Sequence, residues 1–347
     1  KPALAALWTR LGSFLVTVTI ALATQSYWAL VVGMLVNAAA LTVLTYCYHP
    51  YTPRFTLQRA REILDFSGWL LGTGAVTTLA METDKLLVGR LLGVNQAGLY
   101  YMTQRVGVLP TRELVSPLQR ILFPAYSRLT DDLKHLRQVA LESVNAIGTL
   151  SIPAGFGFAL VAADFVPVAL GDQWLAIVPL LVVLVPYLGL RATLSMTMPC
   201  LLALGRTKLL FYVSLGYALV HLPLFVAGTH FHGLPGAIWS IVLAGIIYTG
   251  LNAWMLWTTL AIRLPELVLA LRRPFLAALV MIGAVRLLQS QLASAEDSQI
   301  FLLLATVLLG AASYLIALCL FWHFEGRPAG FERRFLLLLD QRWSTSL

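Results

Sequence analysis

The sequence predicts an all-α fold, a polytopic transmembrane bundle of about ten spanning helices. Three observations predict it. The 347-residue chain is 59% hydrophobic and only 12% charged, with a mean hydropathy of +0.80, a composition that excludes a water-soluble globular fold. Ten apolar stretches each approach the roughly 20 residues a helix needs to cross hydrocarbon. Lys and Arg gather in alternate connections between those stretches, the positive-inside pattern of a protein held in one orientation.

In order, the stretches run over 2–24, 26–48, 64–92, 97–127, 139–170, 174–204, 208–228, 234–261, 274–291 and 299–322. Arg10 interrupts the first, where a long cationic side chain near a helix end can snorkel to the headgroups. Residues 49–63, with Pro50, Pro53 and the run TLQRAREILDF, read as a cytoplasmic linker leading into a surface helix, and as a boundary between lobes. The seventh and eighth stretches are separated by THFHG, which places His230 and His232 in a solvated outer loop; without a nearby Cys, Asp or Glu they do not make a zinc site. Residues 323–347 form a cytoplasmic tail in which Phe331, Phe335, Leu338 and Leu339 share one face and Arg333, Arg334 and Arg342 lie largely elsewhere. That pattern suits a helix in the inner headgroup layer.

Orientation follows from where the cations fall. Lys1, Arg10, Arg54, Arg59, Arg61, Arg128, Lys134, Arg137, Arg206, Lys208, Arg263, Arg272, Arg273, Arg327, Arg333, Arg334 and Arg342 occupy one set of connections and the termini. The opposite connections, around Gln25, Asn95, Asp172, His230 and 289–298, hold no Lys or Arg. Both ends are therefore expected in the cytoplasm. The net charge of +8 reads as topology and contact with anionic lipid; no basic run interleaved with aromatics points to nucleic acid.

Cys47, Cys200 and Cys319 lack CxxC spacing and read as small packing residues within helices. Gly68, Gly72 and Gly74 follow no strand and read as close-packing positions rather than a nucleotide loop; no Walker motif is present. The start lacks a cleavable signal, and its first residue, Lys1, points to processing or to a piece of a longer protein. Every outer connection is too short to carry a catalytic domain, so no catalytic residue is assigned and the chain is not expected to be an enzyme.

Function is sought where charge enters the membrane, because ionisable residues there are expensive and usually face a partner, a cavity or a pathway. The third stretch ends METDKLLVGRLLG, with Glu82, Asp84, Lys85 and Arg90 near its outer end. The fourth carries Arg105, Arg112 and Arg120 on one helical face, interrupted by Pro110, Pro117 and Pro124. A bent, cationic helix lining a wet cavity accounts for both features. Arg191 stands near the middle of the sixth stretch, shortly after Pro186, and is the strongest single candidate for an intramembrane role. Glu82, Asp84 and Glu113 are candidates to pair with these cations. Ion pairs between helices and snorkelling end residues account equally well for Lys85, Arg90 and Arg120 taken singly.

The stretch DKLLVGRLLGVNQAGLYYMTQRVGVLPTRELVSPLQRILFPAYSRLTDD closely resembles the middle of polysaccharide flippases, the Wzx-like members of the multidrug/oligosaccharidyl-lipid/polysaccharide exporter superfamily. Asp84, Gly89, Arg90, Gly93, Gly98, Tyr100, Pro117 and Pro124 match positions typical of that family, and GDQWLAIVPLL and SYWALVVGMLV fit the same pattern. The resemblance covers nearly the whole chain and is vaguer after about residue 265. It implies a two-lobe transporter in which residues 1–48 end the first lobe, 64–261 form a six-helix second lobe and 266–322 an additional pair of helices. The first four family helices have no counterpart here.

The resemblance further implies flipping of an undecaprenyl-diphosphate-linked oligosaccharide across the bacterial inner membrane by alternating access, in exopolysaccharide, capsule or O-antigen synthesis. The implied partners are the lipid-linked oligosaccharide, membrane lipids, and the polysaccharide polymerase and export machinery. Arg105, Arg112, Arg191 and Arg120 are the expected substrate-binding residues, since a diphosphate cannot cross hydrocarbon unshielded and guanidinium offers it a bidentate fork. No cofactor or metal is expected. Glu82 and Asp84 either couple a proton or sodium gradient to lobe motion or form ion pairs with Lys85 or Arg90. A drug or cation exporter of the same superfamily would need cavity acids to outnumber bases, and a membrane polysaccharide ligase or glycosyltransferase would need a larger polar loop.

Overall fold

The computed structural model describes residues 2–26, 28–48, 60–292 and 299–325. Among them the chain runs α1 (Pro2–Thr24), α2 (Trp28–Tyr48), α3 (Ala60–Leu92), α4 (Val94–Ser127), α5 (Leu133–Leu170), a 3₁₀ turn (Asp172–Ile177), α6 (Val178–Ala192), α7 (Thr197–Ala203), α8 (Thr207–Leu260), α9 (Leu264–Leu292) and α10 (Gln299–Phe324). Over the described residues each apolar stretch read from the sequence falls mainly on helix, and the sixth, 174–204, is broken between Ala192 and Thr197. By length and composition, six helical spans among the described residues are apolar enough to cross a membrane, and α8 holds two of the stretches. The protein is a multi-pass helical membrane protein. The expected surface helix and amphipathic tail fall largely or wholly outside the described residues.

Two compact units divide at Arg61 and Glu62. In the first, α1 and α2 pack against each other, with the Gly33 backbone drawn against the Thr17 side chain. The second holds α4–α10 and nearly all of α3, so the six-helix set and the additional pair belong to one compact body.

Lipid tails are as apolar as Leu, so helices in a bilayer are held by close packing and interhelical hydrogen bonds rather than by a hydrophobic gain. The second unit shows both. Gly155 of α5 lies against Gly189 of α6 so closely that a Cβ on Gly189 would sit 2.7 Å from the Ser151 carbonyl oxygen. The α9–α10 pair is fastened to α5 by Asn145 Nδ2 donating to the Ala270 carbonyl at 2.8 Å, Tyr314 Oη to the Thr149 carbonyl at 2.8 Å and Gln289 Nε2 to the Leu160 carbonyl at 3.1 Å. Arg137 of α5 pairs with Glu266 at the start of α9, and Arg272 with Glu325 just after α10 at 3.0 Å. These contacts gather the start of α5, the start of α9 and the end of α10 at one end of the unit, the end for which the sequence reserves its cations.

α8 is a hairpin rather than a straight rod. Gly233 leaves the helical region (φ 60°, ψ −143°), and the arms 207–232 and 234–260 return along each other, with the Ser240 hydroxyl 2.9 Å from the Leu224 carbonyl. His230 and His232 therefore lie on the last helical turn before the bend and not in a loop, because the helix persists to the one residue whose backbone can turn it. Of the three glycines expected at close contacts, Gly72 alone faces a neighbour, the Phe211 ring; Gly68 and Gly74 face open space. Cys200 is buried as expected of a packing residue, whereas Cys47 and Cys319 are exposed.

Candidate functional site

α3 and α4 are where charge meets the bundle, and the structure sorts their ionisable residues by helical face. On α4 the buried positions include Tyr100, Thr103, Gly107, Thr111, Val115, Leu122 and Tyr126, recurring at steps of three, four and seven residues and sealing one stripe against the bundle. Arg105, Arg112 and Arg120 stand on the opposite side and are all exposed. Arg105 Nη1 donates to the Tyr101 hydroxyl at 3.1 Å, and none of the three arginines makes an ion pair among the described residues. Glu113, beside Arg112, is likewise exposed and unpaired in that sense, and so is Arg90 at the end of α3. α4 remains one helix through Pro110, Pro117 and Pro124.

On α3 the four candidates part company. Glu82 and Lys85, three residues apart and so on one face, join at 2.7 Å with both side chains about half exposed. Asp84 points the other way, into the unit, and is only 6% exposed. Its partner is neither Lys85 nor Arg90. It is His221 of the first arm of α8, 2% exposed, whose Nε2 lies 3.0 Å from Oδ1 and 2.9 Å from Oδ2 of Asp84. A lone carboxylate buried at this depth would cost several kcal/mol, which the imidazole offsets by contact with both oxygens.

Around this pair the helices supply aromatic and amide groups. Tyr100 of α4 reaches Asp84 Oδ2 at 3.5 Å and accepts from Gln104 Nε2 at 3.1 Å. The first arm of α8 places Ser214, Ala218, His221 and Phe225 on its buried face, with Tyr217 one turn before His221. The Tyr217 ring stacks on the imidazole with centroids 5.2 Å apart and an interplanar angle of 17°. Tyr248 of the second arm packs on Tyr217 at 4.8 Å, and the guanidinium of Arg191 lies 5.3 Å from the Tyr248 ring centre. A cation over an aromatic face at that distance contributes about 0.5–2 kcal/mol, more as water is removed.

Arg191 occupies a break in the membrane helix. α6 ends at Ala192 and α7 begins at Thr197. Between them the chain is closed by tighter bonds, Thr193 N to Leu190 O at 3.2 Å and Leu194 N to Arg191 O at 3.3 Å. Arg191 stands in the last turn of α6, where the exposed carbonyl ends favour a cation. Tyr187, one turn earlier, is buried, and its hydroxyl fits over Gly245, where a Cβ would approach it to 1.7 Å. Pro186 precedes it inside the same helix. Half-buried Arg191 thus has one side of its guanidinium supported by the Tyr248 ring, and no carboxylate pairs with it among the described residues.

The structure therefore brings Asp84, Tyr100, His221, Tyr217, Tyr248 and Arg191 into one chain of contacts, and leaves Arg105, Arg112 and Arg120 on an open face of α4. None of Glu82, Asp84 and Glu113 pairs with those three arginines or with Arg191 among the described residues. His221, Tyr217 and Tyr248 were missed by the sequence reading, which noted Tyr100 only as a position typical of the family. A signal existed for His221, a single ionisable residue inside the apolar run YALVHLPLF. On another side of the unit, α4, α5, α9 and α10 enclose an apolar groove of about 480 Å³, lined by Pro110, Leu114, Phe158, Met281, Val307 and Tyr314 among others.

Known proteins match this architecture. Residues 1–179 match the polysaccharide biosynthesis protein family. The chain is 29% identical over 250 residues to the lipopolysaccharide biosynthesis protein WzxC of Escherichia coli (strain K12), covering 71% of this chain and 51% of WzxC. It is 23% identical over 325 residues to the succinoglycan biosynthesis transport protein ExoT of Rhizobium meliloti (strain 1021), covering 91% of this chain and 65% of ExoT. The teichuronic acid biosynthesis protein TuaB of Bacillus subtilis (strain 168) is 25% identical over 222 residues, 64% of this chain and 46% of TuaB. This chain thus spans about half to two thirds of the length of these relatives. Among solved structures, the lipid II flippase MurJ in an inward closed conformation superposes with a TM-score of 0.66 at 15% identity, covering 94% of this chain and 68% of MurJ, which establishes a shared fold. The chain belongs to the polysaccharide biosynthesis protein family, as a Wzx-like member of the multidrug/oligosaccharidyl-lipid/polysaccharide exporter superfamily.

Proposed function

We propose that this protein flips a lipid-linked oligosaccharide, an undecaprenyl-diphosphate carrying a polysaccharide repeat unit, from the cytoplasmic to the outer leaflet of the bacterial inner membrane. The product would feed exopolysaccharide, capsule or O-antigen synthesis, and both ends of the chain would lie in the cytoplasm, with polymerase and export machinery as downstream partners. The observation that carries the proposal is the unpaired cationic face of α4. Among the described residues, Arg105, Arg112 and Arg120 are exposed there without a paired carboxylate, while Arg191 waits half-buried at a helix break. A guanidinium in or near hydrocarbon is costly without an anion, and a diphosphate needs such groups to leave water. Each supplies the other's missing partner.

The apolar groove between α4, α5, α9 and α10 has the chemistry of a polyprenyl chain, and Pro110 and Leu114 on its wall belong to the helix that bears the arginines. Headgroup and tail can thus be served by opposite sides of one helix. The names of WzxC, ExoT and TuaB all concern polysaccharide biosynthesis, and MurJ is a lipid flippase, which supports the same substrate class. Alternating access follows as the mechanism: the substrate headgroup binds the arginine face from one leaflet and leaves to the other after the lobes rearrange.

The test is surface polymer in cells whose only copy is Arg112→Ala or Arg191→Ala. Loss of polymer with normal membrane insertion, and partial recovery in the Arg→Lys variants, is expected because Lys keeps charge but loses the fork. Wild-type polymer in both alanine variants contradicts the cationic path.

A further inference from the structure

The second arm of α8 keeps one side uncovered among the described residues. Asn252, Met255 and Leu256 turn into the unit. Gly250, Ala253, Trp254 and Trp257, spaced i, i+3, i+4 and i+7, share the other side. The two small residues make a floor beside two tryptophan walls: a Cβ on Gly250 would meet no atom within 4 Å, and Trp254 and Trp257 are 44% and 56% exposed. With Arg263 and Leu264 they line a groove of about 480 Å³. It shares no lining residue with the groove between α4, α5, α9 and α10.

The turn into α9 sets a cation at the rim of this groove. Ala261 takes a left-handed backbone conformation (φ 54°) and Ile262 is fully buried, so the chain turns at the end of α8 and brings Arg263 and Leu264 to the groove that Trp257 walls. The nearest carboxylate in sequence is already committed. Glu266 accepts from the Arg263 backbone N–H at 2.9 Å and pairs with Arg137 of α5. The Arg263 side chain is exposed and makes no ion pair among the described residues. Two arginines thus share one carboxylate, and one positive charge is left over at the cation-rich end of the unit.

We propose that this groove binds one anionic phospholipid, with its phosphodiester on Arg263 and an acyl chain lying on Gly250 and Ala253 beside the two tryptophans. The parts agree in chemistry. Guanidinium donates a fork of hydrogen bonds to a phosphate. Indole rings favour the boundary between headgroups and hydrocarbon, where the ring packs on the chain and the N–H faces the polar side. A zwitterionic lipid brings its own cation, which finds no uncommitted carboxylate beside Arg263 among the described residues, and so gains less. A polyprenyl diphosphate carries more charge than the single uncompensated cation matches. The bound lipid lies across the joint between the second arm of α8 and the start of α9, and fastens the additional pair of helices to the six-helix set. The site stands independently of the flippase reading.

The two tryptophans report on the site directly. The intact protein is reconstituted in phosphatidylcholine vesicles in which a minor share of the lipid is brominated, as phosphatidylglycerol in one series and phosphatidylcholine in the other, and quenching of tryptophan fluorescence is compared. One surface arginine favours an anionic lipid by about fivefold, so the wild type should prefer brominated phosphatidylglycerol by about that factor. The preference should vanish in Arg263→Gln, which leaves the backbone contact with Glu266 in place. It should also vanish in Gly250→Leu, whose side chain enters the groove from open space without displacing protein, and in Trp254→Phe with Trp257→Phe, which removes the reporters. Equal quenching by both lipids in the wild type, the result if boundary lipid or another part of the chain covers the groove, overturns the site. A preference that survives in Arg263→Gln removes the anionic headgroup, one that survives in Gly250→Leu removes the groove, and one that survives without the two tryptophans places the lipid elsewhere; each overturns the proposal.

Discussion

The open face of α4 and the core between α3 and α8 hold the same kinds of residue under opposite conditions. On α4, three arginines are exposed and none pairs with a carboxylate among the described residues; in the core, one carboxylate and one imidazole are excluded from solvent and bound to each other. Burial explains the difference. A charge shut inside the bundle must bring its partner along, whereas a charge on an open face can wait for one. Unsatisfied cations on an accessible face therefore point outward to a ligand, and a satisfied pair in the core points inward to the state of the protein itself.

Removing one member of the core pair is the hardest test of that contrast. Asp84→Ala should lower stability by about 3–5 kcal/mol, the cost of stranding a buried partner, and thermal unfolding in a fixed detergent would show it. A shift no larger than that of an exposed substitution would mean that water already reaches the pair. On the open face the balance reverses. Arg112→Ala should leave stability within about 0.5 kcal/mol, yet weaken binding of a polyprenyl-diphosphate about 10- to 100-fold, the value of one charge-assisted contact.

Sequence made the open face legible and hid the core. Arg105, Arg112 and Arg120 could be assigned to one face because a helix repeats locally, and Arg191 stood out as a cation in an apolar run. Every apolar stretch was likewise a local signal and became helix over most of its length, the sixth with a break between Ala192 and Thr197. The partner of Asp84 was sought among Lys85 and Arg90, but these lie 100° and 240° around α3 from it, at 100° per residue, while Glu82 and Lys85 share a face. The true partner is 137 residues away, on the first arm of α8, which no local pattern on α3 announces. That long-range contact, like the aromatic bridge from His221 to Arg191, depends on tertiary packing. THFHG was misread for the opposite reason: a glycine and polar residues suggested a loop, and the helix continued to Gly233.

Smaller effects sharpen the comparison. Asn145→Ala removes the amide that α5 donates to the Ala270 carbonyl and should cost about 1 kcal/mol. Unfolding would report it together with earlier proteolysis of the α9–α10 pair. Glu82→Gln breaks an exposed pair on the outer face of α3 and should change stability by less than about 1 kcal/mol. An effect as large as that of Asp84→Ala would erase the distinction between the two faces of α3.

The most direct test of the cationic path is leaflet accessibility of a labelled polyprenyl-diphosphate oligosaccharide in vesicles containing the reconstituted protein, with Arg191→Ala alongside the wild type. The account predicts movement to the opposite leaflet that is lost in Arg191→Ala while the variant remains folded. Equal movement in both proteins, or export of small cations with no movement of the lipid, would contradict it.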